Sequence, residues 1–355
     1  MHNFKTNNSS QTIELASDVG LVSDDVKLIF QVVNFAIVCE IIDVFGTVTN
    51  IINIIVFVKL GFSDPVNVSL LGLAISDLGC LVTLIWHNIC FNPLFNELDL
   101  PFDPIDVQTL YLTAGWPHVT FTRITAWITA FITFERCLCI ALPLKVKNII
   151  TPKRVVIVIV CLFIVLITSV SPIYQVNRIG PKFSPKRNKT VIGLLFTEDR
   201  EEVEAISFAV NNVFVSFSAF FVVIVCTVTL VVKLRSKTKW RKETASAGKS
   251  DNLSTRDQKV TKMVTMISTL FIVCFIPVSV VFIGMIVEPE FSVDGQYRNL
   301  FFILCSFGYI LESTNSALNI LIYYEMSSKY RTVFNQTFRR KCGSPVKDTE
   351  ASSDP

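Results

Sequence analysis

With 355 residues, 51% of them hydrophobic and 17% charged, the chain is too apolar for a water-soluble domain and reads as a protein that folds in lipid. A net charge of +3 over this length gives no basic surface for nucleic acid. Ten cysteines with no CxxC pair or metal-ligand spacing argue against a disulfide framework or a zinc module. Residues 1–32 are polar and acidic and lack the basic start, apolar centre and cleavage site of a removable signal. They are expected to form an extracellular N-terminal segment, with the first membrane helix as insertion signal. Apolar runs of about 20 residues or more, the length that crosses hydrocarbon as a helix, follow at 33–59, 66–91, 108–140, 154–176, 206–232, 260–287 and 299–324. Ten-residue alternating segments are lacking, so a β-barrel is a poor fit. The sequence predicts an all-α membrane protein, a seven-transmembrane helix bundle over 33–324. Pro117, Pro172 and Pro277 fall inside spans, where kinks are tolerated. Residues 236–258 read as a mobile polar loop and 341–355 as a disordered cytoplasmic tail.

Orientation follows the side richer in Lys and Arg. The 233–262 connection carries Lys233, Arg235, Lys237, Lys239, Arg241 and Lys242, and the 141–154 turn carries Lys145, Lys147, Lys153 and Arg154, so both belong in the cytoplasm. The 92–106 loop has Glu97, Asp99, Asp103 and Asp106 and no basic residue. Loop 178–205 is mixed in charge, but odd-numbered spanning places it outside. The expectation is a multi-pass plasma-membrane protein with its N-terminus outside and its C-terminus in the cytoplasm. Asn7, Asn8 and Asn188 begin glycosylation triplets on the outer side, whereas those at Asn252 and Asn335 fall inside.

At the inner end of the third span stands ERCLCIALPL, residues 135–144, which resembles the DRYxxIxxPL signature of the rhodopsin-like (class A) G-protein-coupled receptors. FIVCFIP, residues 271–277, is similar to that family's FxxCWxP, with Phe275 in place of Trp. NSALNILIY, residues 315–323, is similar to NSxxNPxxY, with Ile320 in place of Pro. Asn50 in the first span and NVSLLGLAISDL, residues 67–78, in the second complete five strings in the family's order. Tyr330 and Arg331 lie where the family starts a short membrane-surface helix, which implies an amphipathic cytoplasmic helix over 325–340. The 128–151 stretch is also similar in wording to chemosensory-type receptors of molluscs. The resemblance implies a receptor that binds an extracellular ligand, a peptide or a small chemosensory molecule, and activates a heterotrimeric G protein. A seven-span transporter or channel is the alternative, but inverted repeats, paired broken helices and rings of charge are not found. An enzyme is not expected, because the histidines at 2, 87 and 118 assemble no catalytic or metal cluster.

Asp77 is an acid in an apolar helix, which costs roughly 3 kcal/mol or more unless it faces protein or water. The family's packing would bring it to Asn50, Thr125, Asn315, Ser316 and Asn319, a hard-oxygen cluster suited to an allosteric Na⁺; a neutral, hydrogen-bonded Asp is the bland alternative. The resemblance also makes Glu135, Arg136, Asp257, Asn319 and Tyr323, with Phe271, Phe275 and Pro277, the coupling and activation switch. In that switch an Arg136–Asp257 latch would close the G-protein cavity. Against it stand an interfacial Arg snorkelling to water and a plain aromatic core.

His87, His118, Arg123 and Glu312 are the candidate ligand-binding residues of the outer half. Arg123 calls for a carboxylate, and its partner is either Glu312 in a structural salt bridge or an anionic ligand group. The family's retinal-binding Lys would fall at Ser313 and its amine-binding Asp at His118, which argues against a photoreceptor and removes the usual counter-ion for amines. The family's disulfide from the third span to the second outer loop cannot form, because Tyr111 and a loop without Cys occupy those places. Cys342 is a palmitoylation candidate, and Ser344, Thr349, Ser352 and Ser353 are candidate phosphorylation sites for arrestin. Membrane lipid is the remaining expected partner.

Overall fold

The computed structural model describes residues 21–92, 107–142, 145–184, 189–243, 252–292 and 295–339. Asn7, Asn8, Asn188 and Cys342 lie outside the described residues, and so does the side chain of Asp257, whose backbone belongs to a described helix.

Helix α1 runs from Asp24 to Leu60, with a π-helical stretch at Val32–Cys39. It starts nine residues before the expected first span. Ser23 Oγ accepts the Val26 N–H at 3.4 Å, and Asp24 and Asp25 sit in the first turn, where acids favour the positive end of the helix dipole. The segment 1–32 is therefore helical in its last part. Gly61, at φ +81°, ends α1. Helix α2, Pro65–Phe91, starts behind an Asp64 cap on the Val66 N–H with Pro at its first position. Helix α3, Val107–Ala141, carries Pro117 inside it. Helix α4 spans Pro152–Val176 and breaks at Val170, one residue before the Ser171–Val176 piece that holds Pro172.

The mixed loop after α4 is a hairpin. Strand β1, Asn177–Ser184, pairs antiparallel with β2, Lys189–Phe196, with Asn177 opposite Phe196. Arg200 stacks over the Phe196 ring at 3.9 Å and begins α5, which passes through a π-helical segment, Ala209–Val215, and continues as Ser216–Glu243. Helix α6, Asn252–Val287, contains Pro277. The polar 236–258 stretch is thus helical up to Glu243 and again from Asn252.

Six helices are long and apolar enough to cross a membrane on length and composition alone. The seventh, α7, Arg298–Ala317 continued as Asn319–Met326, is more polar because Glu312 and several Ser, Thr and Asn residues turn inward. Helix α8, Ser328–Phe338, follows behind a Ser327 cap on the Tyr330 N–H. The end bearing the hairpin is called outer here and the end bearing Arg136 inner.

Helix α3 sits at the centre, packed on α2, α4, α5 and α6, while α1 closes against α2 and α7. Gly46 makes that closure tight: a Cβ there would lie 2.8 Å from Leu81 Cδ1 and 2.9 Å from Ala317 Cβ. Large apolar side chains such as Ile164, Val165, Phe221, Val273 and Val280 face outward, as lipid contact requires.

Candidate functional site

Polar side chains fill the bundle axis at three depths. In the outer half His118 Nε2 lies 2.9 Å from Glu312 Oε2, with His118 buried and Glu312 half-buried. His118 Nδ1 also stands 3.3 Å from the Cys80 carbonyl. The Tyr309 ring bridges the two described histidines, 5.4 Å from His118 and 4.9 Å from His87. Asp43 and Asn88 join α1 to α2 beside this group through a 3.1 Å hydrogen bond, and Asp43 Oδ1 is buried without a partner.

Arg123 does not pair with Glu312. It is 3% exposed and turns the other way, donating from Nε to the Asn211 carbonyl at 3.2 Å and from Nη2 to Asn212 Oδ1 at 2.9 Å. Its Nη1 has no partner, and among the described residues it makes no ion pair. The π-helical segment of α5 explains the choice. A local change of helical period re-aims backbone groups, and the carbonyls of Asn211 and Val215 take hydrogen bonds from Arg123 and Trp127 of α3. Ser169 of α4 ties down the Asn211 side chain at 2.6 Å.

At mid-depth Asp77 is fully buried. Its Oδ1 accepts from Thr125 at 3.0 Å and Ser316 at 3.3 Å, and its Oδ2 from Asn319 at 2.8 Å. Asn50 joins this cluster indirectly, donating to the carbonyls of Gly46 and Ser316 at 2.9 Å each and so clamping α1 to α7. Asn315 is half-buried and lines a cavity of about 20 Å³ with Thr125, Ser316, Cys80 and Glu312. Asn319 Oδ1 is buried and unpartnered. These oxygens, with the Asp77 carboxylate, fit a small hard cation or a water.

The inner third holds the helix ends. Arg136 Nη2 meets Glu135 Oε1 at 2.5 Å, and Glu135 Oε2 accepts from Ser69 of α2 at 3.1 Å. One turn above, Thr133 Oγ1 and Ser268 Oγ stand 2.6 Å apart and join α3 to α6. Phe271 and Phe275 stack at 5.1 Å, with Phe220 packed 5.5 Å from Phe275, where Ala126, Ala130 and Ala219 leave them room. Helix α7 breaks at Leu318 although Ile320 replaces the family's proline. The Leu321 N–H bonds back only three residues, to Leu318, at 3.1 Å. Tyr323 packs against Phe57 and Tyr330, its hydroxyl buried and unpartnered. The Tyr330 hydroxyl donates to Asn53 at 2.5 Å, and Asn53 to Asn50 at 3.3 Å, so α8 is linked to the Asp77 cluster.

A seven-helix bundle with an acid at mid-depth and a buried Glu-Arg pair at the inner end of its central helix calls for comparison with known receptors. Residues 33–341 match the family described as serpentine type 7TM GPCR chemoreceptor Srw. The chain belongs to that family. This Srw-family protein is 27% identical over 233 residues to the growth hormone secretagogue receptor type 1 of Sus scrofa, an alignment covering 62% of this chain and 58% of the relative. It thus spans under two thirds of that relative's length. It is 21% identical over 328 residues to the allatostatin-A receptor of Bombyx mori, covering 86% of this chain and 79% of the relative. With the galanin-like G-protein coupled receptor npr-9 of Caenorhabditis elegans it shares 24% identity over 321 residues, 81% of this chain and 69% of the relative. These relatives give the transporter or channel alternative no support.

The structure brings Asp77, Thr125, Ser316 and Asn319 into hydrogen-bond contact, leaves Asn50 and Asn315 out of direct contact with Asp77, and pairs two of the outer candidates, His118 and Glu312. His87 joins them through Tyr309, while Arg123 stands apart. Sequence reasoning passed over Asn211 and Asn212, Thr133 and Ser268, and Asn53 and Ser69. Two adjacent amides inside the apolar 206–232 run were a readable signal, because side-chain amides in hydrocarbon need partners; the hydroxyls were not, since Ser and Thr commonly satisfy themselves on their own helix.

Proposed function

We propose that this chain is a plasma-membrane receptor that binds an extracellular ligand and activates a heterotrimeric G protein, with its N-terminus outside and its C-terminus in the cytoplasm. The observation that carries this reading is the buried Glu135–Arg136 pair at the inner end of α3, held by Ser69 and set beside the Thr133–Ser268 contact to α6. Such an arrangement stores an arginine that is released when α6 swings away and a cavity for the G protein opens. Pro277 supplies the hinge, Phe271 and Phe275 the packing that shifts with it, and Asn319 and Tyr323 the inner end of α7. Asp257, in the first turns of α6, is the proposed second partner of Arg136. Asp77, Thr125, Asn315, Ser316 and Asn319 would hold an allosteric Na⁺, with Asn50 positioning Ser316.

His87, His118 and Glu312 form the proposed floor of the ligand site, and Arg123, set apart on Asn211 and Asn212, is a separate candidate ligand contact. The relatives are receptors named for a growth hormone secretagogue, allatostatin-A and a galanin-like function, which favours a peptide; the family's chemoreceptor description keeps a small chemosensory molecule in view. Arrestin at the C-terminal tail belongs to the same reading.

The test is nucleotide exchange on a panel of purified heterotrimers with the receptor in nanodiscs. Asp257→Ala is expected to raise ligand-independent exchange, and adding Arg136→Ala to return it to background. If Asp257→Ala, reconstituted in the same amount as the wild type, drives exchange on none of them, the reading fails.

A further inference from the structure

The sulfur of Cys80, a buried residue of α2, stands 3.6 Å from His118 Nδ1 of α3. On the far side of that ring, Nε2 lies 2.9 Å from Glu312 Oε2 of α7. A thiol, an imidazole and a carboxylate thus follow one another across three helices. That is the order of a nucleophile, its base and the group that orients the base. With the ring proton on Nε2 and donated to Glu312, Nδ1 turns its lone pair to the thiol. Thr122 Oγ1 is the sulfur's other neighbour, at 3.4 Å, and its own hydrogen goes to the His118 carbonyl at 3.0 Å. Thr122 can therefore accept the thiol hydrogen bond, but only His118 can carry the proton away. The imidazolium that results has an acceptor at each nitrogen, because the Cys80 carbonyl lies 3.3 Å from Nδ1. Cys137, by contrast, turns its thiol to the Cys226 carbonyl.

Cys80 and Glu312 both line a cavity of about 20 Å³ shared with Thr125, Ser316 and Phe275. Such a space holds about one molecule of the size of water, so a reagent that meets the sulfur there must be very small. We infer that Cys80 is a peroxide-reactive thiol, oxidised by hydrogen peroxide to a sulfenic acid, with His118 as the base and Glu312 as the residue that positions it. Cys80 Sγ attacks one peroxide oxygen; the S–O bond forms as the O–O bond breaks. The thiol proton passes to His118 Nδ1 and from there to the departing oxygen, which leaves as water. Sulfur is oxidised and the peroxide reduced, so the step needs no further reactant. The added oxygen would enter the space one turn above Asp77. The site shares His118 and Glu312 with the proposed ligand floor, but its chemistry needs neither a ligand nor a G protein.

The test exposes the full chain in nanodiscs to hydrogen peroxide for a series of times, stops the reaction with catalase, and unfolds the protein in iodoacetamide and dimedone. Peptide mass spectrometry then gives, for each cysteine, the fraction still free and the fraction trapped as sulfenic acid. Cys274 is the internal control: it lines the same cavity, and among the described residues it makes no hydrogen bond with a histidine. Cys80 should be oxidised about a hundredfold faster than Cys274, the scale of a well-placed general base. His118→Gln, which keeps a donor for Glu312, should remove that excess. Glu312→Gln, which keeps an acceptor for Nε2 but not the charge, should lower it about tenfold, and it carries the test alone if His118→Gln does not fold. A purely structural role would loosen the site and speed both cysteines, whereas loss of a base slows Cys80 only. Equal wild-type rates at Cys80 and Cys274, an undiminished excess in the folded variants, or a parallel rise at both cysteines would overturn the proposal. Nucleotide exchange is measured separately, so a failure here does not decide the receptor reading.

Discussion

The outer and inner halves of the bundle are held by different means. The outer half relies on groups able to carry charge, His118 with Glu312 and an Arg123 that meets only neutral amides. The inner half relies on neutral hydrogen bonds and stacked rings: Asn50 on two carbonyls, Tyr330 on Asn53, and Phe57, Tyr323 and Tyr330 in one aromatic group. Among the described residues its one ionic contact, Glu135 with Arg136, joins neighbours on a single helix and ties no two helices to each other. Under the proposed receptor reading, the outer half would recognise the ligand and the inner half would supply the part that moves.

Disarming the outer pair should have the largest effect. Glu312→Leu, which leaves the buried His118 unanswered, should cost about 3 kcal/mol, His118→Leu, which leaves the half-buried Glu312, should cost less, and the double replacement should recover most of the larger loss. Thermal unfolding of the four proteins reads the coupling, and additive single effects would mean that the two groups do not depend on each other. Arg123→Met comes next. Its guanidinium already lacks a charged partner, so the unfolding midpoint should move little, whereas the potency of any agonist that reaches it should fall by roughly tenfold or more. Unchanged potency at normal surface expression would remove Arg123 from the ligand site. The smallest effect belongs to the inner half: Tyr330→Phe should cost about 1 kcal/mol, the worth of one neutral hydrogen bond. A loss as large as that of the outer pair would show that the α8-to-α1 link carries more than its single contact.

Much of the inner half was legible in the sequence because its recognisable strings lie on single helices. Asp77, Asn319 and Tyr323 each occupy a fixed turn, so the string that names them also sets their depth and face. The break in α7 was not legible in that way, since Ile320 offers the N–H that proline would remove and the helix still tightens to a three-residue bond at Leu321. In the outer half the sequence left Arg123 open between Glu312 and an anionic ligand group, and the structure seats it on Asn211 and Asn212 instead of on Glu312. The actual partner was hidden because the π-helical turn of α5 rotates Asn211 and Asn212 toward α3, and such a turn leaves no clear mark in composition. Loop 178–205 likewise showed mixed charge, and its pairing into β1 and β2 depends on a register across the turn.

By itself the sequence determined that this chain folds in lipid as a helix bundle, because apolar runs of membrane length leave the backbone no other way to satisfy its hydrogen bonds. It also determined which residues lie near mid-depth and which near the inner ends, since depth along a helix is a count of residues at a fixed rise. The tertiary structure alone decided which polar groups meet. A polar side chain in hydrocarbon must find a partner, and several partners at similar depth satisfy that demand equally well on paper. Rotation about each helix axis selects among them, and packing at positions such as Gly46 and the π-helical turns sets that rotation.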